Sequence, residues 1–213
     1  QFAATFSARA RNGSMVESRS TPRSVARPVW RWLLFVGAGV VVAAVGEWQY
    51  SVLIRGDWAN LFGSMVFNAV YLTGAFIVTR IVFRVLPRRP AFLVCAALAA
   101  VGGLAVEWFL IGNSPWGNPD ASQIGMAAYW ACMVAVPLLL IDPDPCLQPL
   151  KRLIGFYALG YVALIVLGQW LIASAEWRYA FHVWMVVIGY IGLAGMCVAG
   201  WILSTGSTRS QSS

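Results

Sequence analysis

A four-residue phrase recurs three times in this chain and decides its fold. It reads VGEW at 45–48, AVEW at 105–108 and LGQW at 167–170, each near the end of a long apolar run. The third residues of the phrases lie 60 and 62 residues apart, and each phrase is followed by a polar turn and a second apolar run. A repeat of this length is typical of one supersecondary unit used several times. The sequence therefore predicts three helical hairpins.

The apolar runs are long enough to cross a membrane. Apolar residues make up 60% of the chain and charged residues 11%, with a mean hydropathy of +0.71, whereas soluble domains carry about 25% charged residues. A spanning helix needs roughly 20 apolar residues, and six runs satisfy this: Trp32–Ile54, Gly63–Val85, Ala91–Ile111, Ala121–Ile141, Leu153–Ala173 and Ala180–Leu203. We predict an all-α integral membrane protein of six transmembrane helices, arranged as three repeated hairpins at about 31–86, 90–142 and 152–203.

The basic residues indicate an orientation. Only Arg55 and Arg178 fall on one predicted side; the other 13 of the 15 fall opposite, at Arg9, Arg11, Arg19, Arg23, Arg27, Arg31, Arg80, Arg84, Arg88, Arg89, Lys151, Arg152 and Arg209. The positive-inside rule then predicts that both termini are cytoplasmic. The net charge of +7 favours contact with anionic lipid rather than nucleic acid, because no folded basic domain is present. We expect a multi-pass protein of a bacterial inner membrane, with an organellar membrane as the alternative.

The sequence predicts tails at both ends of a membrane domain at 29–203. Residues 1–28 are rich in Ser and Arg and predict a basic disordered tail. Within them, Gly13-Ser14-Met15 has the look of a cloning junction, which suggests a tag or linker at 1–14; a transit peptide is the alternative. Residues 204–213 predict a polar tail.

The repeated phrases place acids deep in apolar segments. Glu47 and Glu107 lie 16 and 17 residues after Arg31 and Pro90, a rise of roughly 24–26 Å that reaches the outer leaflet. Ionisable groups within membrane spans often carry function, so we predict both glutamates as acid/base or cation-binding catalytic groups. The surrounding side chains are predicted to bind ligand: Trp48, Trp108, Gln169, Trp170, Asn68, Tyr129 and His182.

Several other kinds of site are not indicated by the sequence. His182 is the single histidine, and the cysteines form no Cys/His cluster, so no metal site is predicted. Nucleophile elbows and phosphate-binding loops do not occur either. No cofactor can be named from these residues.

Three functions remain open at this level. The first is the handling of a lipid-like or hydrophobic small molecule in an outer-leaflet cavity lined by Glu47 and Glu107. The second is a non-catalytic accessory or assembly subunit of a larger membrane complex, with other membrane proteins as partners. The third is a small proton- or cation-coupled transporter. Under the simplest interpretation, the Glu-Trp phrases only mark the headgroup boundary of the bilayer.

Overall fold

The computed structural model describes the backbone of residues 26–117 and 122–206, and side chains at 29–117 and 122–203. Most of the tails predicted at 1–28 and 204–213 lies outside these residues, as do residues 118–121 between the third and fourth apolar runs. All regular structure in the described part is helical, without strands. The six main helices are α1 (Ala26–Glu47), α2 (Trp58–Val85), α3 (Arg88–Val106), α4 (Gln123–Ile141), α5 (Gln148–Leu171) and α6 (Ala175–Gly206).

Each of the six helices is long and apolar enough to cross a membrane. Their positions match the six runs expected from hydropathy, which confirms the prediction of six helices long and apolar enough to span a membrane. Large apolar side chains cover the outside of the bundle. This surface suits a lipid environment, where apolar side chains carry no penalty for facing outward.

Two of the repeated phrases lie where the helix changes its winding. Helix α1 continues as a π-helical segment at Trp48–Ile54, and α3 continues as another at Glu107–Ile111. Such wide turns are rare and are frequently found at functional sites. The third phrase lies inside α5, which stays α-helical to Leu171.

The connections after the wide turns begin the returning helices with side-chain caps. Asp57 accepts a hydrogen bond from the Asn60 N–H at 2.9 Å and starts α2, after Gly56 has taken a left-handed φ of 70°. Ser122 accepts from the Gly125 N–H at 3.1 Å and starts α4. These caps satisfy backbone donors that the first helical turn leaves free, so they fix where both helices re-enter the bundle.

Helix α4 is the centre of the bundle. It packs against α1, α3 and α6, and 61% of its most apolar stretch is buried, compared with 11–28% in the other five helices. Trp130 and Met133 are among its fully enclosed side chains. Helix α2, by contrast, is the least buried, so the returning helices of the three hairpins do not occupy equivalent positions.

Helix α5 lies at the edge and packs mainly on α6. Close approach between the two depends on glycines: a Cβ at Gly168 would overlap the Phe181 ring, and one at Gly189 would overlap the Tyr161 ring. The Tyr157 hydroxyl also donates to the Gly189 carbonyl at 2.8 Å. Because α5 has few other contacts, a groove is left between α1 and α5.

Arg88 ties three connections together at the end of the bundle opposite the phrases. Its guanidinium pairs with Asp142 and with Asp144, the latter at 2.9 Å, and lies 5.4 Å from the centre of the Trp201 ring. The Cys146 N–H donates to Asp144 at 2.9 Å, and this bond, followed by Arg88, lowers the pKa of the Asp144 carboxyl. The start of α3, the α4–α5 link and the end of α6 are therefore held together.

Candidate functional site

Polar side chains at the phrase end of the bundle form three networks, the first around Glu47. The Glu47 carboxylate accepts from the Tyr129 hydroxyl and from the Ser51 hydroxyl, both at 3.3 Å. Asn68 donates to the Tyr129 oxygen at 3.2 Å, and Asn60 donates to the Ser51 oxygen at 2.7 Å. This network connects α1 and its wide turn with α2 and α4.

The second network surrounds Glu107, which is only 8% exposed. Its two carboxylate oxygens accept separately from the Trp130 indole N–H at 3.1 Å and from the Asn113 amide at 2.8 Å. Gln123 then links Asn113 to Trp108: it donates to the Asn113 carbonyl at 3.2 Å and accepts from the Trp108 N–H at 2.6 Å. The network closes the α3–α4 hairpin.

The third network contains the single histidine. Gln49 and His182 are 0% and 1% exposed, and the Gln49 amide nitrogen lies 3.3 Å from His182 Nδ1 and 3.1 Å from the His182 carbonyl. The Tyr161 hydroxyl donates to Gln49 Oε1 at 2.7 Å, and His182 Nε2 lies 2.9 Å from Gln169 Oε1. These contacts fit a neutral imidazole that accepts at Nδ1 and donates at Nε2.

The structure divides the predicted site residues among these networks. Glu47 meets Asn68 and Tyr129, and Gln169 meets His182, whereas Glu107 and Trp108 belong to a separate group. The other two tryptophans of the repeated phrases take part in none of the three networks: Trp48 is half-buried and Trp170 is 83% exposed.

Sequence analysis missed several members of the networks: Gln49, Ser51, Asn60, Asn113, Gln123, Trp130 and Tyr161. Gln49 is the most consequential of them, because its amide joins the first wide turn to both α5 and α6. A signal was present, since an uncharged amide two residues beyond Glu47 in an apolar run needs a buried partner. Within the described part of the chain, no three His, Cys, Asp or Glu side chains lie together as a metal site would require.

Two cavities lie along α6, the apolar one between α1 and α5 and the polar one between the first wide turn and the end of α5; we call this region the α1–α5 groove. The polar cavity, of about 200 Å³, is lined by Leu53, Ile54, Gln169, Ala175, Arg178, Tyr179 and His182. The apolar cavity, of about 90 Å³, is lined by Val41, Val42, Val45, Tyr157, Ala158, Tyr161, Val162, Gly189, Tyr190 and Leu193. Neither of these two cavities is lined by Glu47 or Glu107.

The order of the lining residues along the helices places one cavity above the other. The bonds that Gln49 makes to Tyr161 and His182 lie between the two. Val41 and Ala158 are exposed, so the apolar cavity opens on the surface of the bundle. The groove therefore presents a polar end near the helix ends and an apolar end nearer the middle of the spans.

The Glu107 network is expected to be important for stability. Glu107→Leu leaves the buried Trp130 N–H without its acceptor, and we expect it to lower the free energy of unfolding by about 1–3 kcal/mol. Glu107→Gln retains an oxygen acceptor and should lose less. Thermal unfolding in detergent, followed by tryptophan fluorescence, measures both.

Glu176→Leu, at an exposed glutamate, is the control and should stay within about 0.5 kcal/mol of wild type. Equal losses in Glu107→Leu and Glu176→Leu would contradict the stabilising role given to the Glu107 network.

Comparison of the chain with protein-family models, with curated proteins and with solved structures gave no match. The features of the site that bear on function are the three networks, the α1–α5 groove with its two cavities, and the charge at the polar end.

Proposed function

We propose that the protein binds and handles a lipid-like, amphipathic small molecule in the α1–α5 groove. The observation that carries this proposal is the order of the two cavities, which follow one another along α5 and α6 with the Gln49 contacts between them. Binding sites for small molecules are typically concave and mostly apolar, with a few convergent polar groups. A molecule with a polar head and a hydrocarbon tail matches that arrangement.

The walls of the apolar cavity suit a hydrocarbon chain. Tyr157 and Tyr161 lie nearly parallel on one side, with ring centres 6.4 Å apart, and valine side chains of α1 form the other. Burial of each methylene contributes about 0.8 kcal/mol. Because Val41 and Ala158 are exposed, a longer tail extends from the cavity along the bundle surface.

Gln169 and His182 keep the ligand-binding role predicted for them, because both line the polar cavity. The catalytic role of Glu47 and Glu107 stays a prediction. In the present proposal these glutamates position the helices: Glu47 holds α4 through Tyr129, and Glu107 holds it through Trp130. Movement of α4 would also reach α6, which packs on it and lines both cavities.

The proposal includes the topology expected from the sequence, with three repeated hairpins and both termini cytoplasmic. Thirteen of 15 basic residues support this orientation, which puts the polar cavity in the outer leaflet of a bacterial inner membrane. The three networks support the repeat, because each phrase residue is linked to the helix that follows it: Glu47 to Asn60 through Ser51, Glu107 to Trp130, and Gln169 to His182.

An accessory subunit is the second candidate, favoured by the exposed apolar face of α2. Phe62, Val66, Val70 and Ile77 are 57–69% exposed on this face, and the polar groups of the networks are paired inside the bundle. Such a face suits another membrane helix as well as lipid. Transport is less well supported, because few polar residues connect the phrase end to the opposite end of the bundle.

Filling the apolar cavity tests the proposal. We expect Ala158→Phe to occupy the space of the ligand tail and to weaken binding at least about tenfold, or 1.4 kcal/mol, so that a smaller fraction of the protein carries a bound molecule. Native mass spectrometry of the detergent-extracted full chain measures that fraction and gives the ligand mass.

Ala97→Phe is the matched control, since Ala97 is an exposed alanine on α3 that lines neither of the two cavities. It should carry as much bound molecule as wild type. Equal occupancy in both variants, or a wild-type protein that carries no small molecule, contradicts ligand handling in this groove. Protein subunits retained by all three forms would favour the accessory function.

A further inference from the structure

The described lining of the polar cavity contains one cationic side chain, Arg178, which forms no ion pair with a described acid. Arg178 Nε donates to the Ile172 carbonyl and Nη2 donates to the Ala173 carbonyl, both at 3.1 Å. The ion pairs found among the described residues both belong to Arg88. A guanidinium has more N–H donors than these two bonds use, so Arg178 keeps donors for a ligand.

The rest of the cavity lining also favours a negative charge. No carboxylate belongs to the part of the lining that the structure describes; Glu176, the nearest acid along the chain, is exposed and lies outside this lining. Gln169 accepts from His182 through Oε1, and its amide nitrogen makes no hydrogen bond within the described residues. The amide nitrogen of Gln169 and the guanidinium of Arg178 therefore supply N–H donors at one cavity.

The start of α6 adds to this preference. Ala175 and Arg178 belong to its first turn, and the first N–H groups of a helix carry a partial positive charge that attracts anions. This is a supporting contribution, because the cavity already holds a full positive charge at Arg178.

We propose that the polar cavity binds the anionic headgroup of the amphiphile, a phosphate monoester or a carboxylate, with Arg178 as its charge partner and Gln169 as a second donor. This assignment rests on the proposed function, because it specifies the head of the molecule whose tail lies in the apolar cavity. The volume of about 200 Å³ is well above the roughly 10–15 Å³ of probe volume that one water needs. A phosphate group and a few waters fit that space, and nothing in the described lining offers a carboxylate for a choline cation.

Lipid selectivity tests the headgroup. Wild-type full chain in a non-ionic detergent is titrated with dioleoyl phosphatidic acid or with dioleoyl phosphatidylcholine, and binding is followed by native mass spectrometry. We expect phosphatidic acid to bind at least about tenfold more tightly. Arg178→Gln should remove this preference, whereas Arg55→Gln, at the other arginine of the phrase end, should retain it.

Inorganic phosphate distinguishes a lipid headgroup from a free anion. Phosphate that displaces phosphatidic acid supports a shared anion site in the polar cavity. Phosphate binding without any phosphatidic acid binding assigns the cavity to a free anion and overturns the lipid headgroup. Equal affinity of the wild type for the two lipids overturns the assignment even if Arg178→Gln does not fold. If the wild type binds the two lipids equally but Ala158→Phe still removes the bound molecule, the proposed function stands without the charged headgroup.

Discussion

Replacing Gly103 with alanine is expected to lower the free energy of unfolding by about 3 kcal/mol, the upper part of the usual range for overpacking a core. A Cβ at this position would overlap the buried indole of Trp130. The indole cannot move freely, because its N–H donates to Glu107 at 3.1 Å and its ring contacts Tyr71 at 4.6 Å between centres. Thermal unfolding in detergent should show a midpoint about 6–12 °C below wild type.

Gly102→Ala is the control for this substitution, one residue earlier in the same helix. A Cβ there meets only the Tyr71 hydroxyl, at an ordinary contact distance of 3.6 Å. Alanine is also the better helix former by about 1 kcal/mol, so this variant should be as stable as wild type or more stable. A Gly103→Ala protein that unfolds at the same temperature as Gly102→Ala would contradict the packing of α3 on α4.

Gln49→Leu is expected to have the second large effect, with a loss of about 2–4 kcal/mol. The side chain is fully buried and joins the first wide turn to α5 through Tyr161 and to α6 through His182. Leucine has a similar size but leaves the Tyr161 hydroxyl and His182 Nδ1 without these partners, and each buried unpaired group costs about 1–3 kcal/mol. Thermal unfolding of the variant, compared with wild type, measures the loss.

Gln148→Leu is the matched control, because Gln148 is exposed at the start of α5. Its midpoint should lie within about 2 °C of wild type. Hydrogen exchange adds a second measurement for Gln49→Leu: amides of α5 should exchange faster than those of α4, since α5 packs mainly on α6. Uniform acceleration across all six helices would instead indicate that Gln49 stabilises the bundle as a whole rather than the attachment of α5.

The helices could be predicted from the sequence because membrane spans leave a strong signal in length and hydropathy. The central place of α4 could not, because every span is apolar all round and none has a polar face to mark its outside. The wide turns at Trp48–Ile54 and Glu107–Ile111 were also missed. A shift from α to π winding depends on which backbone groups pair, and composition does not report that pairing.

The repeated phrases pointed to Glu47, Glu107 and Gln169, and all three take part in polar networks. Their depth in the membrane stays a prediction, and their grouping around the bundle could not be predicted. Which helices face each other is decided by packing, such as that of Gly103 against Trp130. The sequence predicted one cavity lined by Glu47 and Glu107, but the structure puts these two residues in separate polar networks. The two cavities of the α1–α5 groove lie beside His182 and Tyr161 instead.

The central position of α4 has a consequence for how the chain is made. Helices α1 to α3 leave the ribosome first, yet Tyr129 and Trp130, which satisfy Glu47 and Glu107, belong to the fourth helix. A carboxylate with few partners is costly in a membrane. The bonds from Ser51 to Glu47 and from Asn113 to Glu107 can form without α4, whereas those from Tyr129 and Trp130 need it. We therefore expect both glutamate networks to be completed only after α4 has been made.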